Sequence, residues 1–211
     1  MKRALIGAGG FATDIIGQMG PMVCFVDDEY YPGQFSEPDR IIYSLGSFDP
    51  QKWEVLLVIG GSIDRYNMVN RLPKETKYFS WLHPTTSKSE YGPNMIPKIG
   101  HGVVSNAGVI IMPNSVIGNH TVLNVGAIIG HDSIIGDFFT GSPGSGVMGN
   151  CKIGDRVFLG ANSFIREGII ICDDVLIGMG SNVMKDIIES GVYVGTPAKK
   201  INRFINEGEL K

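Results

Sequence analysis

The chain has 211 residues, a formal net charge of −3 and 18% charged residues, and its lysines and arginines form no dense cluster. This balance gives no support to binding of nucleic acid or of a membrane surface, and the length suits one or two domains. The cysteines show no metal-ligand spacing, the first residues show no signal-peptide pattern, and no segment is apolar for long enough to span a bilayer. We therefore expect a soluble cytoplasmic protein with reduced thiols.

The first part of the chain alternates strands with helices. Short apolar runs predict four strands, at residues 4–6, 22–26, 55–59 and 78–82. Helical patterns follow two of them, at residues 12–19 and 62–72. This alternation predicts a small Rossmann-like parallel α/β sheet, with glycine-rich turns after the carboxyl ends of its strands, where such sheets bind ligands. Residues 31–50 are interpreted as an irregular connection that covers the edge of the sheet.

The first glycine-rich turn fits a dinucleotide-binding fingerprint. Gly7 and Gly9 precede Ala12 at the required spacing, and Asp27 follows Gly7 by 20 positions. A domain of about 80 residues holds only one mononucleotide-binding half, so a single nucleoside diphosphate suits the turn better. A nicotinamide cofactor and a purely structural glycine turn are the alternatives. The residues predicted to contact the nucleotide are Gly7, Gly9, Gly10, Asp27, Asp28, Gly60 and Ser62.

From Ile99 to Val183 the chain repeats every six residues. Each sixth position is aliphatic except at Ser105 and Gly141, and the register never slips. Neither an α-helix nor a simple strand has this period, which is typical of a parallel β-helix in which each hexapeptide forms one side of a coil. Because three sides make a coil of about 18 residues, the run predicts a three-sided prism of roughly five coils with aliphatic residues stacked inside.

Three histidines within the repeat are candidate functional groups: His101, His120 and His131. They fall in different repeat units, so we expect no metal site built from them within one chain. His131 occupies a corner position from which its ring would point outward, and Asp132 follows it directly. An adjacent carboxylate can favour the basic tautomer of an imidazole, which makes His131 a candidate general base; a surface histidine without a role is the alternative. His120 lacks an adjacent acid and is predicted to have no role.

Several motifs in combination resemble a known family. They are LIGAGG at residues 5–10, FVDD at 25–28, LHP at 82–84, GHD at 130–132 and GTPAKK at 195–200. With them the chain resembles the bacterial nucleotide-amino-sugar N-acetyltransferases, which are hexapeptide-repeat acyltransferases related to the sialic-acid O-acetyltransferases. The resemblance implies an α/β domain at residues 1–84, a left-handed parallel β-helix at residues 85–198 and a C-terminal tail at residues 199–211.

The resemblance also implies how a site would be built. It implies a homotrimer with active sites between subunits, acetyl-CoA as the co-substrate and no metal. His131 matches the catalytic base of the family, and Asp132 matches the acidic residue that orients this base. Thr140 stands where relatives often carry a second histidine that helps to place the acetyl group. The other positions that match coenzyme contacts are Gly149, Ala161 and Met179.

The function expected from this resemblance is N-acetylation of a nucleotide-linked 4-amino-4,6-dideoxyhexose for a bacterial surface glycan such as O-antigen. UDP, dTDP and GDP are alternative carriers of the sugar. An O-acetyltransferase acting on a sialic acid is the nearest rival function. A non-catalytic nucleotide-sugar-binding scaffold and a zinc-dependent β-helix carbonic anhydrase are rivals from other classes.

Overall fold

The computed structural model describes residues 1–30, 35–37, 39–88 and 95–201. The strands of the N-terminal sheet are β1 (Lys2–Ile6), β2 (Met22–Val26), β3 (Phe35–Glu37), β4 (Arg40–Ser44), β5 (Trp53–Leu57) and β6 (Lys77–Tyr78). Their order in the sheet is β3-β4-β2-β1-β5-β6, and all run parallel except β3, which pairs antiparallel with β4. The helices are α1 (Gly10–Met19) and α2 (Ser62–Arg71), and short 3-10 turns lie at Asp28–Tyr30 and Leu45–Ser47. The predicted parallel α/β domain is therefore confirmed.

Two details of this domain differ from the sequence prediction. The stretch interpreted as an irregular connection contains β4, which pairs with β2 along its full length. Its apolar residues are few and its ends are polar, so the pattern did not stand out. The strand predicted at residues 78–82 is divided between two sheets, because β6 closes the α/β sheet whereas Trp81–Leu82 already pairs with Val104–Ser105 of the repeat.

The hexapeptide repeat folds into a prism with three faces of short strands. Face 1 contains Trp81–Leu82, Val104–Ser105, Val122–Leu123, Thr140–Gly141, Phe158–Leu159, Val175–Ile177, Gly191–Val194 and Lys199–Ile201. Face 2 contains Ser87–Lys88, Ile110–Ile111, Ile128–Ile129, Gly146–Val147, Phe164–Ile165 and Asn182–Val183. Face 3 contains Lys98–Ile99, Val116–Ile117, Ile134–Ile135, Lys152–Ile153 and Ile170–Ile171. The strands of each face are parallel, apart from the antiparallel last strand of face 1.

The aliphatic series of the repeat forms the core of the prism. From Val104–Ser105 onward the second residue of each two-residue strand points inward, as for Ile111, Ile129 and Ile135, which are each 1% exposed. Partners in neighbouring coils differ by one full turn of the prism, so that Ile111 stacks on Ile129 in face 2. The corners place Asn114, Asp132 and Asn150 in the left-handed backbone region, which glycine and asparagine adopt at little cost.

The α/β domain packs on face 1 of the prism. One buried cluster joins Leu5 and Ile15 of the domain to Val104 and Val122, whose side chains point outward from face 1. In a three-sided prism the edge opposite face 1 is the edge between faces 2 and 3. We call the turns along this edge, at residues 112–115, 130–133, 148–151 and 166–169, the distal corner. It lies on the side of the prism that the α/β domain does not cover.

A buried arginine fixes α2 to the prism. Arg65 is 1% exposed. Its guanidinium donates at 2.8–2.9 Å to the carbonyl oxygens of Ile59, Gly60, His120, Phe138 and Phe139 and to Thr140 Oγ1. Hydrogen bonds of this number are what a charged group needs when it is removed from water. The docking of the two domains therefore involves the polar side chain of Arg65 as well as apolar contacts.

His120 lies in an aromatic cluster beside this arginine. Its ring stacks on Phe138, with ring centroids 5.1 Å apart, and meets Tyr78 and His101 edge-on at 4.5 and 5.0 Å. His120 is 3% exposed, and its Nδ1 atom has no hydrogen-bond partner among the described residues. The pKa of His120 is lowered to about 4, mainly by burial and also by the charges of His101 and Arg65, while Asp137 acts in the opposite direction.

This low pKa predicts a loss of stability in acid. Between pH 6.5 and 4 the unfolded chain binds a proton at His120 that the folded chain excludes, so stability falls as the pH falls, by up to about 3 kcal/mol. In His120→Phe we expect the melting temperature to fall less between pH 7 and pH 4 than in the wild type. Thermal unfolding at several pH values tests this, and parallel pH profiles of the two proteins would contradict it.

Candidate active site

The distal corner presents an imidazole and a carboxylate side by side. His131 Nδ1 lies 2.7 Å from Asp132 Oδ2, and the two side chains are 45% and 46% exposed. The ring therefore lies at the surface of the prism, outside its aliphatic core. Hydrogen bonds from His131, and next from Asn114, hold the pKa of Asp132 below its ordinary value. Because an ionised carboxylate only accepts, Nδ1 is the donor, and Nε2 of the neutral ring is left with a free lone pair.

Gly149 provides the space that the His131 ring occupies. It lies one coil further along the distal corner, and a Cβ added there would lie 2.7 Å from Nε2 and 2.8 Å from Cε1 of His131. Carbon atoms do not approach a ring this closely, so any larger residue would displace the imidazole. Of the positions matched to coenzyme contacts, Gly149 is the one that the structure places against His131.

A cavity of about 800 Å³ opens at the carboxyl ends of the strands in the α/β domain. Of the residues predicted to contact a nucleotide, Gly7, Gly9 and Asp27 line it. One wall of the cavity, which was not predicted from the sequence, comes from one side of α2 and consists of Asp64, Asn67, Met68 and Arg71. Their spacing of three and four residues could have predicted that they lie together, because residues at this spacing share one side of a helix. The cavity is large enough for a small ligand.

An ion pair spans part of this cavity. Arg71 Nη2 lies 2.5 Å from Asp27 Oδ1, and Arg71 Nη1 lies 3.0 Å from Asp27 Oδ2. This fork orients both side chains, and the hydrogen bond to Asp27 raises the pKa of Arg71. Glu29 and Asp64 add two more carboxylates to the lining of the cavity. Among the described residues that line it, Arg71 is the one with a basic side chain.

Other predicted nucleotide contacts lie elsewhere. Asp28 accepts a hydrogen bond from the Ser44 hydroxyl and does not line the cavity, and neither do Gly10 and Gly60. Ser62 is fully buried, and its hydroxyl donates to Thr140 Oγ1 at 3.0 Å. The Ser62 side chain therefore faces the prism, and the expected phosphate contact through the backbone N–H groups of residues 60–62 stays a prediction.

The four residues predicted to contact the coenzyme lie in different parts of the chain. Thr140 is 1% exposed, and its hydroxyl donates to the Gly60 carbonyl at 3.1 Å. Its expected role in placing an acetyl group is wrong for this chain, because the hydroxyl is enclosed between face 1 and α2. Ala161 and the exposed Met179 lie on the corner between faces 1 and 2, away from His131. Within one chain, Gly149 alone of the four approaches His131.

The cavity and His131 lie on different sides of one chain, because the α/β domain covers face 1 and His131 lies on the opposite edge. His101 and His120 lie on the corner between faces 3 and 1, apart from His131. In the described part of the chain, no group of three or more histidine, cysteine, aspartate or glutamate side chains is arranged to hold a metal ion. Among the helices that the structure describes, neither the length nor the apolar character suffices to cross a membrane.

Comparisons with known proteins identify the repeat. Residues 151–185 match the family described as the hexapeptide repeat of succinyl-transferase. A search of curated proteins by sequence found no match.

Solved structures match almost the whole chain. The acetyltransferase domain of PglB from Neisseria gonorrhoeae FA1090, in complex with acetyl coenzyme A, has 25% identity and a TM-score of 0.82 over 95% of this chain and 98% of that chain. PerB from Caulobacter crescentus, in complex with CoA and GDP-perosamine, has 25% identity and a TM-score of 0.81 over 94% of this chain and 96% of that chain. WeeI from Acinetobacter baumannii AYE has 22% identity and a TM-score of 0.83 over 95% of this chain and 100% of that chain. These matches confirm the fold class, an α/β domain followed by a left-handed parallel β-helix.

Proposed function

We propose that this chain, an acetyltransferase with the fold of the nucleotide-amino-sugar N-acetyltransferases, transfers the acetyl group of acetyl-CoA to the amino group of a nucleotide-linked 4-amino-4,6-dideoxyhexose. The observation that carries the proposal is the pairing of His131 with Asp132, which leaves Nε2 free to accept a proton. The fold around this pair also supports the proposal, since the structural match with an acetyltransferase domain in complex with acetyl coenzyme A covers 95% of the chain.

In the proposed reaction His131 is the general base. Nε2 takes a proton from the sugar amine as the amine nitrogen attacks the thioester carbonyl carbon, and Asp132 stabilises the imidazolium that forms. The carbon–nitrogen bond forms, the carbon–sulfur bond breaks, and the imidazolium returns its proton to the departing thiolate. Holding the amine and the thioester together in a desolvated cleft would supply much of the remaining rate.

We further propose that the working form is a homotrimer. In one chain the cavity and His131 lie on opposite sides, so a second chain would have to bring its cavity to this histidine. Exposed apolar side chains on faces 2 and 3 support such an assembly: Ile110 is 41%, Ile134 48% and Ile170 46% exposed. The coenzyme would lie along the contact between two prisms. It would pass near Gly149 on the distal corner of one prism and near Ala161 and Met179 on the corner between faces 1 and 2 of the other.

The nucleoside diphosphate of the substrate would bind in the cavity of the α/β domain. Gly7 and Gly9 precede α1, where backbone N–H groups and the helix dipole favour phosphate oxygens. Asp27 and Arg71 offer an acceptor and a donor fork for the ribose, the base or the diphosphate. A reaction with these two substrates would belong to the cytoplasm and to the assembly of a surface glycan such as O-antigen or lipopolysaccharide.

The direct test is acetyl transfer by the full chain. Thiol release and the mass of the product would be followed with acetyl-CoA and UDP-, dTDP- and GDP-linked 4-amino-4,6-dideoxyhexoses. We expect one nucleotide to be preferred and the acetyl group to be found on the amine. An inert wild-type protein that still binds a nucleotide sugar would contradict the proposal and favour a non-catalytic scaffold. Acetylation of free sialic acid alone would favour the O-acetyltransferase.

Nucleotide binding gives a prediction of its own. A ligand that binds only the folded state raises the melting temperature, and a concentration of 100 times Kd adds about 2.7 kcal/mol of stability. We expect UDP, dTDP or GDP to raise the melting temperature of the wild type. In Arg71→Ala we expect most of this rise to be lost. Arg3→Ala is the matched control, because Arg3 also pairs with a carboxylate of the α/β domain, Glu54, but does not line the cavity. Equal shifts in all three proteins would contradict the assignment.

Gly149→Ala tests the position of the base. The added methyl group would meet the His131 ring at less than contact distance, so the ring must move, and we expect kcat/KM to fall about 10- to 100-fold. The measured quantities are kcat/KM and the melting temperature. Gly17→Ala is the control, because a Cβ there meets no atom within 4 Å. Unchanged kcat/KM in Gly149→Ala would show that the ring position is unimportant.

A further inference from the structure

We infer that Asn114 is a positioning residue for the His131–Asp132 pair, an inference that rests on the proposed function of this site. Asn114 lies on the distal corner one coil before Asp132. Asn114 Nδ2 donates to Asp132 Oδ1 at 3.0 Å, while Asp132 Oδ2 lies 2.7 Å from His131 Nδ1. The two oxygens of one carboxylate are thus divided between the amide and the ring.

The backbone supports this arrangement. Asn114 and Asp132 both adopt the left-handed conformation, with φ of 58° and 57°, so corresponding corners of successive coils place their side chains in line. An asparagine suits both requirements, because it tolerates this conformation and its amide donates without bringing a charge. A neutral donor leaves the negative charge of Asp132 directed at the imidazole.

The amide is needed because the carboxylate is half exposed. With its side chain 46% exposed, Asp132 without a second partner can rotate about its Cβ–Cγ bond and exchange the ring for water. Each such rotation breaks the hydrogen bond to Nδ1. The ring is then no longer held in the tautomer in which Nε2 is the proton acceptor. Asn114 would act on the rate through this orientation and would not itself touch the substrates.

The chain contains a matched pair without a catalytic role. Asn119 Nδ2 donates to Asp137 Oδ2 at 3.3 Å across the same one-coil separation, on the corner between faces 3 and 1. Asn119→Ala therefore removes an inter-coil amide–carboxylate hydrogen bond away from His131, together with the one that Asn119 Oδ1 accepts from the His101 N–H at 3.1 Å. Asn114→Gly removes the amide while keeping a residue that accepts the left-handed backbone.

The test compares kinetics of Asn114→Gly, Asn114→Asp and Asn119→Ala with those of the wild type. In Asn114→Gly we expect kcat to fall about tenfold with KM for acetyl-CoA within about twofold, since orientation of the base is lost while the coenzyme contacts remain. In Asn119→Ala, which removes two side-chain hydrogen bonds, we expect a change in melting temperature at least as large, with kcat unchanged. Wild-type kcat in Asn114→Gly, or equal losses of kcat in the two variants, would overturn the inference.

The pH profile separates positioning from a structural role. In Asn114→Asp the new carboxyl donates to Asp132 when it is protonated and repels it when ionised, so kcat relative to the wild type should fall about tenfold as the pH rises from about 4 to 7, the range in which a carboxyl beside a second carboxylate loses its proton. The relative kcat of Asn114→Gly should stay nearly constant over this range. A constant ratio for Asn114→Asp would contradict the inference.

A readout without turnover keeps this test distinct from that of the proposed function. Diethyl pyrocarbonate modifies accessible imidazole nitrogens, and the modified peptide can be measured by mass spectrometry. Because release of Nδ1 exposes a second nitrogen, we expect His131 to react about threefold faster in Asn114→Gly than in the wild type or Asn119→Ala. Equal rates would overturn the role of Asn114. Faster modification in an enzyme that transfers no acetyl group would uphold the positioning role and refute the proposed reaction.

Discussion

Replacement of His131 by alanine is expected to lower kcat/KM for acetyl transfer by about three orders of magnitude, the contribution typical of a positioned general base. The ring is exposed at the distal corner and Asp132 fixes its tautomer, so the loss should appear in kcat. Because the side chain lies outside the prism core, the melting temperature should change little. Thiol release and product mass, measured at several pH values, give the rate.

Two further variants define what the loss means. His131→Asn keeps a side chain that can hydrogen-bond Asp132 but cannot accept the proton, so we expect a loss as large as in His131→Ala. His83→Ala is the matched histidine control, since His83 Nδ1 lies 2.7 Å from the hydroxyl of its neighbour Thr85 and the residue lies at the start of the prism. If His131→Ala kept more than about a tenth of wild-type kcat/KM, general-base catalysis by this residue would be excluded.

Replacement of Arg65 by methionine is expected to lower the free energy of unfolding by about 3–5 kcal/mol, as when one partner of a buried polar network is removed. The substitution removes six hydrogen bonds at the boundary between α2 and the prism, to five carbonyl groups and the Thr140 hydroxyl. Lysine keeps the charge but cannot reproduce the planar fork, so Arg65→Lys should lie between methionine and the wild type.

Thermal and denaturant unfolding, followed by tryptophan fluorescence, measure this effect. Arg71→Ala is the control on the same helix, because the Arg71 side chain is 57% exposed and its loss should cost about 1 kcal/mol or less. Since α2 also carries Asp64 and Asn67 of the cavity wall, Arg65→Met should weaken nucleotide binding at temperatures where it remains folded. A melting temperature within about 2 °C of the wild type would show that Arg65 is not needed to dock the domains.

The local pattern of the chain was sufficient to predict both halves of the fold. The six-residue period from Ile99 to Val183 predicted the prism and its aliphatic core, because that geometry requires an inward residue at each repeat. The strands β1, β2 and β5 were predicted for a similar reason, as buried parallel strands are nearly continuous apolar runs. His131 and Asp132 could be predicted together because they are adjacent in the sequence.

The contacts that the sequence did not reveal join residues distant along the chain. Arg65 and Ser62 look like polar residues of an exposed helix, and only the docking of α2 on face 1 buries them. The pairing of Asp27 with Arg71 depends in the same way on the position of α2 beside β2. Asn114 is an intermediate case, because its partner lies one coil away at a separation that the repeat itself predicts.

The sequence by itself therefore determined the prism, the α/β sheet and the imidazole–carboxylate pair. Each of them depends on a local pattern of residues or on two residues that are adjacent in the chain. The tertiary structure alone decided which polar groups face a ligand and which are buried between the domains. The physical reason is that a side chain's exposure depends on what packs over it. For Ser62 and Thr140 that covering surface comes from a part of the chain far away in sequence.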